Sequence, residues 1–293
     1  MKAKHVIIYL LLVIVTSSCI RDEAPNAEAD ILSCRLPGIT MTTSPIINNN
    51  SVTLFVTPGT NISALAPEFT LTSGATITPA SGTERNFNSP QEYQVTAADG
   101  IWKKTYAISV IDTELATIYN FEDTISGKKY YIFVERENDK VIMEWASGNA
   151  GYAMTGVAKT ADDYPTFQIA NGKNGKCLSL VTRSTGFFGG LVGMPIAAGN
   201  LFIGSFDVNN AMSNPLQATK FGLPFRHVPT YLAGYYKYKA GDQFTEGGKP
   251  VEGKRDICDI YAIMYETSVS VPTLDGTNAF TSPNPVSYTH LTL

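Results

Sequence analysis

Seven carboxylates in or beside strand-like runs are the residues best suited to acid–base chemistry: Glu122, Asp123, Glu135, Glu144, Asp256, Asp259 and Glu266. Cleaving a glycosidic bond takes two carboxyl groups on either side of it, one of them often kept protonated by burial. Glu144 and Glu266 stand out because they lie inside apolar strands, where an unpaired charge is costly; outward-pointing strand ends account for them equally well. No spacing in the chain sets the separation of any pair. Glu122 and Asp123 after one strand, with Asp256 and Asp259 on a late one, also offer the hard oxygen donors that calcium prefers. A solvated acidic rim is the plainer account of those four. A nucleophilic triad is disfavoured, because His227 is the sole histidine between the first few residues and the last few, and prolines flank it. No Cys-x-x-Cys or Cys/His spacing supports zinc.

A second group of residues suits recognition rather than bond breaking. In Glu144-Trp145-Ala146-Ser147-Gly148-Asn149 an indole beside a loop could stack on a pyranose ring while the amide of Asn149 bonds two hydroxyls. Equally, Trp145 could be core and Asn149 could hold the turn. The stretch from Gly199 to Gly241 holds two strand-like runs, Leu201 to Phe206 and Tyr231 to Lys239. Strand alternation in the second run puts Tyr235 and Lys237 on one face and turns Tyr236 and Tyr238 toward a core. Arg183 closes a strand on the face opposite Leu178 and Leu180; with Lys237 it could form a basic patch suited to an acidic sugar. Solvated strand-end charges explain both residues as well.

The elements that must position these groups are β-strands. The 293 residues carry Lys+Arg 22 against Asp+Glu 26, with no basic run after the N-terminus, which speaks against a nucleic-acid partner. Length points to two domains. Residues 36–112 read as a small all-β module. Its clearest part is EYQVTA, then Asp99-Gly100, then IWKKTYAISVI: the Asp-Gly pair supplies a tight hairpin turn, and Tyr93, Val95, Tyr106, Ile108 and Val110 form the buried face. Trp102, just past the turn, reads as an edge packing residue. Residues 113–284 contain runs of 5 to 10 residues broken by Gly, Pro and Asn, with no long helical period, which indicates a jelly-roll β-sandwich. Only Asn209 to Gln217 reads as able to hold a helical turn. The expected fold class is all-β: an immunoglobulin-like sandwich followed by a jelly roll.

At the N-terminus Lys2 and Lys4 precede an apolar run from Val6 to Val15, then Thr16-Ser17-Ser18-Cys19. The run is too short to span a bilayer and reads as a secretory signal. Residues 1–18 resemble a bacterial lipoprotein signal, which implies diacylation of Cys19 and a lipid-anchored linker over 19–35. Asp22 and Glu23 resemble the export signal of surface lipoproteins of gut Gram-negative bacteria, implying a cell-surface place on the outer membrane. Cys34, Cys177 and Cys258 remain, and a Cys177–Cys258 disulfide is one option beside two small core residues.

The "Y.VTA.DG....Y.I.V" pattern resembles bacterial immunoglobulin-like modules, which act as spacers. YNFED, EWASGNAGYAM, Tyr164-Pro165, GNLFIGSF, FGLPF with GYYKYKAG, and DIYAIMYE together resemble the putative carbohydrate metabolism domain of secreted gut-bacterial lipoproteins, over roughly Leu115 to Asn284. The resemblance implies a surface role in handling a polysaccharide or oligosaccharide. It leaves open glycan binding through Trp145, Asn149, Arg183, Tyr235 and Lys237, a glycoside hydrolase or lyase using a carboxylate pair, and a structural role. The closing PVSYTHLTL resembles translated adaptor read-through, so residues 285–293 are expected to lie outside the domain, with Tyr288 and His290 carrying no function and the jelly roll lacking its last strand.

Overall fold

A computed structural model describes residues 25–268, 271–282 and 285–292. Cys19, Asp22 and Glu23 lie outside that range. The fold is all-β, and among the described residues the helices between strands are short.

The first unit is a two-sheet sandwich. Strand β1 (Ile31–Arg35) runs antiparallel to a strand further along the chain. β2 (Ile46–Ile47) and β3 (Ser51–Phe55) follow it, and β4 (Glu68–Leu71) is the partner of β1. β5 (Thr76–Thr78), β6 (Gln91–Thr96) and β7 (Lys103–Ile111) complete the second sheet, in the order β2-β3-β7-β6-β5. All pairs in it are antiparallel except β3 with β7. The period-2 pattern of β6 and β7 is satisfied as read: Tyr93, Val95, Tyr106, Ile108 and Val110 are all buried. They share one core with Ile31 and Cys34 of β1 and with Leu36 just beyond it, and the ring of Tyr93 packs 4.9 Å from that of Phe69. Each fully buried aliphatic or aromatic side chain of this kind stabilises by about 1.5–3 kcal/mol. The sheets are also cross-linked by polar groups. The Tyr106 hydroxyl donates to Asp30 and accepts from the Ile31 amide, while Lys104 pairs with Asp30. Trp102 departs from the edge-packing expectation: it is 63% exposed, because the Asp99-Gly100 turn carries it beyond the last core row.

The link is short and held at both ends. The Lys140 ammonium pairs with Asp112, and Arg226 approaches Glu114 at 3.9 Å.

The second unit is built on a five-stranded antiparallel sheet. β8 (Val134–Glu137) and β9 (Lys140–Ala146) form a hairpin whose turn, Asn138-Asp139, has φ of 48° and 65°, the left-handed backbone that these two residue types tolerate. Beyond it come β10 (Thr166–Ile169), β11 (Cys177–Leu180), β12 (Arg183–Ser184) and β13 (Ile196–Ala197), which pair two by two. β14 (Phe202–Phe206) returns to the main sheet beside β9, and β15 (Thr219–Phe221) lies on its far side. Gly204 in β14 has φ of 141°, and a Cβ there would come 1.9 Å from the Lys220 carbonyl of β15, so only glycine allows this pairing. β16 (Thr245–Glu246) and β17 (Lys249–Pro250) form a small ribbon; β18 (Asp259–Tyr265) and β19 (Leu274–Asp275) follow, with β19 closing the main sheet as β19-β15-β14-β9-β8. Finally β20 (Pro285–Thr292) runs antiparallel along β18. The tail expected to fall outside the domain therefore covers the β18 edge.

Among the described residues four short α-helices sit between strands, α1 (Asn149–Ala153), α2 (Gly186–Leu191), α3 (Val208–Ser213) and α4 (Pro215–Ala218), with one 3-10 turn at Ala161–Asp163. α3 and α4 occupy the one loop expected to be helical; α1 and α2 lie where only loops were expected. The thiols of Cys34, Cys177 and Cys258 are free, so the optional Cys177–Cys258 disulfide is not formed. Cys34 is core, and burial pushes its thiol up to about 12.

Candidate functional site

Tyr231 to Lys239 forms no strand. Pro224 and Pro229 withhold two backbone donors just before it, and residues 222–244 form a coil without helix or strand. Free of a sheet, its rings face water: Tyr231 is 82% exposed, Tyr235 81% and Tyr236 55%. Tyr236 and Tyr238 thus do not turn into a core, contrary to the alternation argument. Tyr238 and Tyr235 each tie this stretch to another part of the domain. The Tyr238 hydroxyl donates to the Asp256 carbonyl at 2.6 Å. The Lys173 ammonium, from the loop between β10 and β11, stands 3.5 Å from the centroid of the Tyr235 ring. Lys237 is exposed beside them. The coil therefore offers aromatic faces and phenol hydroxyls to solvent with two ammonium groups alongside, a combination that can stack on a sugar ring and bond its hydroxyls.

Trp145 and Asn149 lie elsewhere and serve the fold. Trp145 in β9 packs edge-on against Tyr119 at 5.0 Å and beside Phe121 at 5.5 Å, and its indole N–H donates to the Glu135 carboxylate at 2.9 Å. Asn149 is fully buried. Its amide nitrogen donates to the Thr166 carbonyl at 2.7 Å and its oxygen accepts from the Thr166 N–H at 3.2 Å. Thr166 Oγ1 then donates to the Asn200 carbonyl, and Asn200 Oδ1 accepts from the Gly148 N–H. Asn149 is spent on a closed ring of bonds joining the ends of three strands, and it has nothing to offer a ligand. Arg183 is half-buried; its guanidinium donates to the Asp162 carbonyl at 3.1 Å and lies over the Phe167 ring. It shares no contact with Lys237.

The carboxylates are dispersed. In the β8–β9 register Val134 faces Glu144 and Glu135 faces Met143. Cross-strand partners share a face and neighbours alternate, so Glu135 and Glu144 point to opposite sides of one hairpin and cannot flank one bond. Burial raises the Glu135 pKa; the indole N–H of Trp145 opposes the rise and the charge of Asp123 adds to it. Glu144 keeps contact with solvent while protein crowds its carboxyl. That crowding pushes its pKa up, the Lys128 charge pulls against it, and solvent access moderates the rise. Glu122 accepts from the Lys176 amide at 2.9 Å. Glu266 is exposed just past β18. Among the described residues no three acidic, histidine or cysteine side chains converge as a metal site, so Glu122, Asp123, Asp256 and Asp259 are not gathered into one cluster.

A hollow of about 540 Å³ opens at the link, lined by Glu114, Arg136, Glu137 and His227 among others. Of the residues weighed for chemistry in the sequence, its lining includes His227 but none of the candidate carboxylates or sugar-contact residues. Lys173 and Tyr231, in contrast, belong to the tyrosine surface and went unnoticed in the sequence. Lys173 sits in a Gly-rich loop, NGKNG, far along the chain from Tyr235, and nothing local announces the contact.

Two β-sandwich units in series, the second with a tyrosine-bearing coil open to water, place the chain among modular all-β proteins that present one domain upon another. The particular family follows from comparison. The putative carbohydrate metabolism domain matches residues 120–293, and the domain described as SGBP, N-terminal, matches residues 31–110. This chain belongs to the putative carbohydrate metabolism domain family. It is similar to a crystal structure described as a putative glycoside hydrolase from Bacteroides thetaiotaomicron VPI-5482, with 80% sequence identity and a TM-score of 0.87, over 93% of this chain and 84% of that one. A second, described as a putative glycoside hydrolase from Bacteroides vulgatus ATCC 8482, is 43% identical with a TM-score of 0.54, over 61% of this chain and 78% of that one. Among curated proteins none matches.

Proposed function

We propose that this chain is a cell-surface lipoprotein, anchored in the outer membrane through Cys19, that binds a polysaccharide or oligosaccharide through its second domain and takes part in polysaccharide use. The observation that carries the reading is the open tyrosine coil, with Tyr231, Tyr235 and Tyr236 facing solvent and Lys173 seated on Tyr235. Exposed aromatic rings with phenol and ammonium groups at their edges suit carbohydrate, which presents apolar C–H faces ringed by hydroxyls. The carbohydrate-related families matched by both domains support the same reading.

Hydrolysis is the second reading. Its support is the raised pKa of Glu144, suited to a general acid, together with the descriptions of the two similar structures. The opposed directions of Glu135 and Glu144 weigh against it. A glycan array on the chain from Asp22, with reducing-sugar release measured on every glycan retained, separates the two. Binding without release is expected. Release abolished by Glu144→Gln would establish hydrolysis instead, and silence across a wide panel would leave a structural role.

A further inference from the structure

The tip of the β6–β7 hairpin carries Ile101, 78% exposed, and Trp102, 63% exposed, next to the exposed Lys103. A turn on a protein surface ordinarily carries polar groups, so two large apolar side chains there need an account. They are held outward by a rigid turn. Asp99 Oδ1 accepts from the Ile101 and Trp102 amides at 2.8 and 3.1 Å. The Gly100 N–H donates to the Ala97 carbonyl and the Ala97 N–H to the Trp102 carbonyl, both at 2.9 Å.

The place of this tip within the unit suggests what covers it. The Asp99 amide donates to the Asn26 carbonyl at 3.3 Å, so the N-terminal segment enters the domain directly beside the turn. Asn26 lies seven positions after Cys19, a reach of at most about 25 Å when extended. At the other end of the nine-residue β7, about 30 Å away, Ile111 leads into the link to the second domain. The anchor side and the glycan side are therefore opposite poles of the first unit, and Ile101 and Trp102 mark the anchor pole.

We infer that Ile101 and Trp102 rest in the headgroup region of the membrane to which the N-terminus is tethered, with Lys103 against lipid phosphates; this rests on the lipoprotein reading above. Tryptophan suits that region because its ring is apolar and its N–H is polar. The acyl chains on Cys19 hold the N-terminus to the membrane but do not fix the orientation of the unit behind it, and an inserted apolar tip adds a second point of contact. The consequence is orientation: the first unit stands upright instead of swinging on its linker, and the second domain is directed outward.

The test uses the mature chain with Cys19 replaced by an N-terminal polyhistidine tag, held on vesicles of phosphatidylethanolamine and phosphatidylglycerol containing a nickel-chelating lipid. Because the tag replaces the acyl anchor, the result does not depend on whether Cys19 is acylated, which labelled-palmitate incorporation into the natural chain and its Cys19→Ser variant decides separately. Tryptophan emission is compared on vesicles with and without brominated acyl chains. The unsubstituted tip should be quenched by bromine, and Trp102→Phe, which leaves only Trp145, should lose that quenching. Ile101→Asp should reduce it, and moving the tag to the C-terminus should abolish it. Emission indifferent to bromine, quenching unchanged in Trp102→Phe, or quenching of Trp102 by soluble glycan in the absence of vesicles would each overturn the inference.

Discussion

Replacing Asn149 with alanine should destabilise the second domain while leaving the first intact. The side chain is fully buried, and both of its polar atoms meet the backbone of Thr166, itself 1% exposed. Its removal strands one buried N–H and one buried carbonyl. Each unsatisfied group costs about 1–3 kcal/mol, so the expected loss is about 2–6 kcal/mol, a large share of the 5–15 kcal/mol that typically holds a domain folded. At about 2–4 °C per kcal/mol for a domain of this size, the melting temperature should fall on the order of 10 °C. Asn149→Asp should do little better: it keeps an acceptor for the Thr166 N–H but sets a second oxygen against the Thr166 carbonyl. Urea unfolding by circular dichroism, with the two transitions resolved, gives the number. A change within about 0.5 kcal/mol, the range of an ordinary surface substitution, would refute the closed-ring account. So would a fully stable variant that has lost glycan binding, because Asn149 would then be a ligand group.

Three further expectations test other parts of the account. Gly204→Ala should break the pairing of β14 with β15, costing about 3 kcal/mol or more through backbone clash, and should be seen as an early thermal transition of the second domain. The hydrogen bond from Lys104 lowers the Asp30 pKa, with help from Tyr106 and against a burial cost. Its contribution is therefore present above the unfolded value, about 3.9, and is lost as pH falls through the lower folded value. Asp30→Asn should be less stable than the parent at neutral pH, with the gap closing in acid; a gap that widens in acid would contradict the sign. Thiol titration of the native chain from Asp22 should leave Cys34 unreactive, since burial holds it protonated, and should label Cys177 and Cys258, with all three reacting after denaturation.

The later strands of the first domain were legible in its sequence because their signals are local, whereas β1, Ile31–Arg35, falls in the stretch expected to be linker. Period-2 burial in Tyr93, Val95, Tyr106, Ile108 and Val110 and an Asp-Gly turn need only residues near one another in the chain. The same alternation misled at Tyr231 to Lys239. A pattern of that kind states what a strand's faces would be, but a strand exists only if another supplies hydrogen-bond partners, and preceding prolines favour coil. For Asn149 and Trp145 the sequence left a sugar contact and a structural role open, because it could not distinguish an amide bonded to Thr166, or an indole bonded to Glu135, from groups open to a sugar. Those partners lie in different strands. Tyr235 and Lys237 were expected to face outward and do, although in a coil instead of a strand. Lys173 depends on a contact between distant loops and left no trace in the spacing.

The claim on which the functional reading stands is that the tyrosine coil is where carbohydrate binds. Isothermal titration of Tyr235→Ala against the glycan retained most strongly by the parent chain addresses it directly. Loss of the ring and of its Lys173 contact should remove about 1–2 kcal/mol of binding, a factor of roughly 5 to 30, with the unfolding temperature unchanged because Tyr235 is 81% exposed. Undiminished affinity in Tyr235→Ala, with the same variant also unaltered in stability, would contradict the account.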